Sequence, residues 1–148
     1  IYAERKHLDK EKLYRALVIS NLTAIHLKTE IGRLSAFCGA VSAGAACGAG
    51  LAYLKSASEE VMNHTIVNAL AITSGIICDG AKASCAAKIA VSVEAGILGY
   101  DMYMNGQQFY GGDGIISKGI ENTIHNIGVL GSQGMASTDQ EIIKIMCE

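Results

Sequence analysis

Between Ser35 and Leu54 the chain runs for twenty residues without a charged side chain. A stretch like this either crosses a membrane or lies inside a fold. Its composition favours the second. The run is rich in Ala, Gly, Ser and Cys, and such residues enter lipid far less favourably than a Leu-rich span does. Gly39, Ala43, Gly44 and Gly48 leave room for other helix backbones to come close. The run therefore predicts a central helix, buried all round.

The rest of the chain must supply what surrounds it. With 148 residues, half of them hydrophobic, the chain is long enough to bury a core as one domain. Two Phe and no Trp mean that this core is filled by Ala, Gly, Val, Ile and Leu. No Pro is present to break long helices. Helical spacing runs from about Asp9 to Ile31 through Leu13, Ala16, Leu17, Ser20, Ala24 and Leu27, and Gly32 ends it. Ser56 and Glu59 read as a capping box for a helix from Glu59 to Ser74. Another helix is predicted from Ala81 to about Met104, with Ile89, Val93, Ile97 and Leu98 as its buried stripe. Asn105 to Gly114 is a loop, followed by helices from Ser117 to Leu130 and from Asp139 to Cys147, with Thr138 and Glu141 as a second capping box. No useful strand alternation occurs. The expectation is all-α: five to seven helices around Ser35–Leu54.

Chemistry concentrates in Ile76-Ile77-Cys78-Asp79-Gly80-Ala81-Lys82-Ala83-Ser84-Cys85-Ala86-Ala87-Lys88. Asp-Gly signals a turn, and the Ala-rich run after it is strongly helix-forming. This places Cys78 just ahead of a helix N-terminus with Asp79 as its cap, where the dipole favours a thiolate. Such a thiolate is a nucleophile or a metal ligand; simple core packing is the alternative. The five cysteines sit in apolar, helical settings, which points to thiols in a reducing compartment, the cytoplasm, instead of disulfides. No C-x-x-C pair or close Cys/His cluster suggests structural zinc.

This stretch resembles a segment of the iron–sulfur-dependent L-serine dehydratase α-chain superfamily, on its L-cysteine desulfidase branch. The resemblance continues in register through Arg33-Leu34-Ser35-Ala36-Phe37-Cys38, Gly50-Leu51-Ala52, Gly114-Ile115-Ile116 and Glu121-Asn122, so it spans about Ala3 to Met146. It implies a [4Fe–4S] cluster held by three cysteines with one iron open to substrate. By resemblance, Cys38 and Cys78 are two of those ligands, and the third comes from a cysteine nearer the N-terminus of a longer protein. The chain starts with Ile and reads as the C-terminal part of such a protein. Cys85 competes as a ligand. On a continuous helix it would lie about 10.5 Å beyond Cys78, so it can join only if Cys78 sits in a turn that folds back; Cys38 with Cys78 ranks ahead. Cys47 reads as packing, and Cys147 as part of a terminal helix, although related dehydratases can bring a tail cysteine to the active site.

The resemblance implies a lyase that eliminates sulfide from L-cysteine, leaving pyruvate and ammonia. L-serine dehydration and a non-catalytic packing or dimerisation domain are the alternatives. The isolated segment, lacking one ligand, is expected to be inactive. Arg33 is a candidate for the substrate carboxylate through its planar fork; exposed salt bridging is the competing role. Lys82 and Lys88 raise pyridoxal phosphate chemistry, but no phosphate-binding element accompanies them and none is expected. Gly111-Gly112-Asp113-Gly114 lacks the lysine and preceding strand of a phosphate loop. His7, His26, His64 and His125 do not cluster. The net charge of −2 argues against a nucleic-acid surface, and the expected partners are a small amino acid, the missing N-terminal part, and in some assemblies a second copy.

Overall fold

The computed structural model describes all 148 residues, as helices joined by loops of which the longest lies between Met104 and Ile120. In order they are α1 (Tyr2–Arg5), α2 (Lys10–Ile31), α3 (Gly39–Leu54), α4 (Glu59–Thr73), α5 (Ser84–Met104), α6 (Ile120–Val129), a π turn (Leu130–Gly134) and α7 (Ala136–Cys147). The all-α expectation holds. No helix is long and apolar enough to cross a membrane.

Local signals explain most boundaries. Asp9 caps α2 by accepting from the Glu11 N–H at 3.1 Å, and Gly32, at φ 88°, donates to the Lys28 carbonyl at its end. At α4 the cap is Ser58, whose hydroxyl accepts from Val61 N–H. The predicted cap, Ser56, has left-handed φ and instead accepts from the Lys12 ammonium at 2.7 Å. Thr138 lies inside α7, which starts at Ala136 without a side-chain cap, so the second capping box does not form.

The centre is α3, but it is not buried all round as predicted: Gly39, Ala43 and Cys47 form an exposed strip, the side that no neighbouring helix covers. It packs on α2, α4 and α5, while α6 lies across α2. Val41, Ala45, Ala46, Ala49 and Ala52 are almost wholly buried. Glycine sets the contact between α3 and α5. A Cβ at Gly44 would lie 2.2 Å from the Ser92 carbonyl oxygen, and one at Gly96 would lie 2.6 Å from the Gly44 carbonyl oxygen. The helices therefore touch backbone to backbone. This corrects the predicted stripe of α5. Its buried residues are Ser92, Ala95, Gly96, Gly99 and Tyr100, whereas Ile89 and Leu98 are exposed, because only small side chains fit the contact. On α2, Leu17 likewise points outward. Asn68 pins the loop before α6: its fully buried amide donates to Gly99 O and accepts from Phe109 N–H.

Gly44→Ala should lower stability by about 1–3 kcal/mol, the usual cost of overpacking, despite the better helix propensity of Ala. Gly39→Ala is the control, since a Cβ there meets nothing within 4 Å. Thermal unfolding of the full-length protein checks this; the Gly44 variant should melt lower and the Gly39 variant should not.

Candidate cluster-binding site

Helices α3 and α4 form an antiparallel pair, so the start of α3 lies near the end of α4. There the chain makes one isolated antiparallel bridge between Phe37 and Ile77. Cys38 N–H donates to Ile76 O at 3.1 Å, and Cys78 N–H donates to Ala36 O at 2.6 Å. Alternation across this bridge puts Phe37 and Ile77 on one face, and Cys38 and Cys78 together on the other. The two cysteines are diagonal neighbours, a relationship that spaces Cα atoms by about 7–8 Å. Cys38 is buried and Cys78 half-buried.

The helix-start position read for Cys78 belongs to Cys38. Cys38 is the N-cap residue of α3, with extended φ and ψ. Helix α5 does not start at Ala81. It begins at Ser84, and its N-cap, Ala83, makes no side-chain cap bond. Asp79 caps nothing. Its carboxylate instead pairs with the Lys88 ammonium, and Lys88 also donates to Ile77 O at 2.9 Å. One lysine on α5 thus holds the turn that carries Cys78.

The later helix start changes the position of Cys85. The chain folds back between the two cysteines: the Cys85 thiol donates to Gly80 O at 3.3 Å, and Lys82 N–H donates to the Cys85 sulfur at 3.4 Å. The continuous-helix objection to Cys85 therefore does not apply. The hydrogen bond from Lys88 holds the Asp79 carboxyl below its ordinary range. The same bond raises Lys88, with further help from the charges of Asp79, Cys38 and Cys85. Lys88 is thus the cation within reach of two of the three thiols.

The remaining residues lie elsewhere. Cys47 is exposed, so it does not fill the core as expected. It follows Cys38 along α3 by about 13 Å. Cys147 is exposed at the end of α7, but its neighbour Met146 reaches the turn: a Cβ at Gly80 would lie 3.2 Å from the Met146 methyl. Arg33 is exposed on an open groove of about 510 Å³ shared with Ile25, Lys28, Thr29 and Gly32. The histidines stand away from the thiols. His26 contacts Glu121 at 2.8 Å, and His64 stacks on Tyr103. A cavity of about 750 Å³ opens between the start of α4 and the loop after α5, and is lined by Glu60, His64, Phe109, Tyr110 and Lys118. It opens toward the N-terminal end of α4, whereas the bridge follows the C-terminal end of that helix.

No three His, Cys, Asp or Glu side chains converge as a single metal ion would require. The donor set at the bridge is all thiol, the set an iron–sulfur cluster takes. A cubane is larger than an ion and takes thiolates at its corners, so Cys38, Cys78 and Cys85 suit it by the chemistry of their side chains. The Lys88 ammonium beside them would offset part of the anionic charge.

The geometry defines an all-α domain that carries Cys38 and Cys78 on a two-segment bridge and Cys85 folded back onto the turn that follows it. The family model described as the serine dehydratase alpha chain matches residues 1–144, and the chain belongs to that family. It is 66% identical to a UPF0597 protein of Desulfitobacterium hafniense, over 98% of this chain and 34% of that protein. It is 52% identical to a UPF0597 protein of Treponema denticola, over 99% of this chain and 34% of that one. A UPF0597 protein of Finegoldia magna is 51% identical over the whole chain and 36% of its own length. The chain thus spans about a third of these relatives. No solved structure matches it.

Asp79→Asn should loosen the turn and lower the melting temperature near neutral pH. The sign follows from both partners. The contribution of Asp79 is complete above the ordinary carboxylate pKa of about 3.9 and is lost as pH falls through its depressed folded value. That of Lys88 is complete below about 10.4 and is lost as pH rises through its raised folded value. Melting curves of both proteins should therefore differ most between about pH 5 and 9 and converge in strong acid.

Proposed function

We propose that this domain carries the cluster of a cytoplasmic iron–sulfur-dependent lyase that β-eliminates sulfide from L-cysteine. The observation that supports this reading is the Phe37–Ile77 bridge, which sets Cys38 and Cys78 on one face while Cys85 folds back onto Gly80 in the turn that follows. When bound, a [4Fe–4S] cluster with an open iron supplies Lewis acidity. The chain's own residues have separate tasks. Cys38, Cys78 and Cys85 are the ligands. Lys88 fixes the ligand turn through Asp79 and Ile77 O and balances thiolate charge. Arg33 makes no ion pair with any carboxylate of the chain. Its free planar fork, five residues before Cys38, suits the carboxylate of an amino acid.

In the reaction the α-proton is removed, the Cβ–S bond breaks and sulfide leaves. The aminoacrylate tautomerises to its imine, which water converts to pyruvate and ammonia. With L-serine the same elimination releases water. A soft sulfur leaving group suits iron, which favours cysteine. The base that takes the α-proton is assigned to the rest of the polypeptide, since no histidine of this chain stands at the thiols.

The decisive measurement is iron and acid-labile sulfide on the anaerobically purified full-length protein. About four irons per chain are expected, with loss in Cys38→Ala, Cys78→Ala and Cys85→Ala and retention in Cys47→Ala. Sulfide release from L-cysteine should follow iron content. Absence of iron after reconstitution would overturn the proposal. Full iron in Cys85→Ala would return the third ligand to the rest of the polypeptide.

A further inference from the structure

Helix α2 is apolar on two sides. Toward the core it buries Ala16, Leu27 and Ile31. Away from the core it exposes Tyr14, Val18, Leu22 and Ile25, at 58%, 56%, 61% and 61%, with Leu17 beside them at 49%. Steps of four, four and three residues put the first four in a single column. The column runs for about 16 Å along the helix. Polar side chains bound it at both ends: Glu11, paired with Arg15, and Lys28, whose ammonium has no carboxylate partner. Soluble proteins rarely leave so ordered an apolar column in water, and one of this form marks an interaction surface. Three turns of apolar anchors between polar ends suit an apposed helix.

We propose that this face of α2 is the seat of a helix from the remainder of the same polypeptide, the two-thirds that the relatives carry beyond this segment. The seated helix presents an apolar ridge to Tyr14, Val18, Leu22 and Ile25, and a carboxylate to Lys28. Relative length is the first argument. The relatives match this chain from end to end at up to 66% identity, yet only 34% of their own length is covered, so each carries ample chain to fill the seat. The second argument is the distribution of apolar surface. Helix α5, packed on a different part of α3, also exposes Ile89, Val91 and Leu98. A two-fold contact with a second copy would repeat one patch, whereas a longer polypeptide can cover both. A tethered segment also meets its seat at high effective concentration. The proposal rests on the length of the relatives and not on the lyase reading.

The test uses the full-length protein with a benzophenone-bearing amino acid in place of Leu22. Irradiation should give a crosslink within one polypeptide, to a residue outside this segment, with a yield unchanged over a hundredfold range of protein concentration. Links between copies, with a yield rising with concentration, would assign the face to self-association and overturn the proposal, as would links only within residues 1–148 or none at all. A second variant, Val18→Asp with Leu22→Lys, should speed amide exchange at least tenfold in the crosslinked partner segment, while Tyr110→Asp, another exposed position, should not. Unchanged exchange in the double variant would equally refute the seat. Iron content of the same preparations reads the lyase proposal separately, so either reading can fail alone.

Discussion

The contact on which the fold depends is the backbone approach of α3 and α5. Gly44 and Gly48 on one helix meet Ser92 and Gly96 on the other without a side chain between them. Several consequences follow from that closeness. Only small residues of α5 can face inward, so its larger apolar side chains turn outward. The charge-free run can be covered on most of its surface, because its neighbours come near enough to meet Ala and Gly directly, while Gly39, Ala43 and Cys47 stay exposed. The core then needs almost no aromatic side chains, and Phe37 is the largest that is fully buried.

The same contact sets the chemistry of the turn. Once α5 is fixed against α3, Lys88 is fixed too, and it reaches back to Asp79 and Ile77 O. The segment bearing Cys78 is thereby tied to α5 by a side chain and to the start of α3 by backbone hydrogen bonds. Cys38 thus heads α3, Cys85 lies in the first turn of α5, and the segment bearing Cys78 is tied to both helices. Met146 lies on Gly80 and brings the end of α7 to the same place.

Much of this architecture was legible in the residues. Asp9 and Gly32 marked α2 because their caps use only local groups. The buried helix was legible because no charge interrupts it. What failed was what depended on distant partners. Ser56 and Ser58 are equally good caps by type, and the Lys12 ammonium draws the first away. Asp79 reads as a cap until Lys88, nine residues on, competes for its carboxylate. A pairing of Ala36–Cys38 with Ile76–Cys78 is too short to leave an alternating pattern, so sequence spacing alone could not join the two cysteines. The fold-back at Cys85 was foreseen only as a condition, and satisfying it depended on where α5 begins.

The antiparallel run of α3 and α4 also imposes an order in time. Cys38 and Cys78 are forty residues apart and meet only after α4 has returned alongside α3. At ordinary translation speeds Cys38 leaves the ribosome roughly 2–8 seconds before Cys78. During that interval a thiol at the head of a nascent helix has no companion. The helical hairpin must close before the two thiols can meet, so the pair comes together only on a chain already folded.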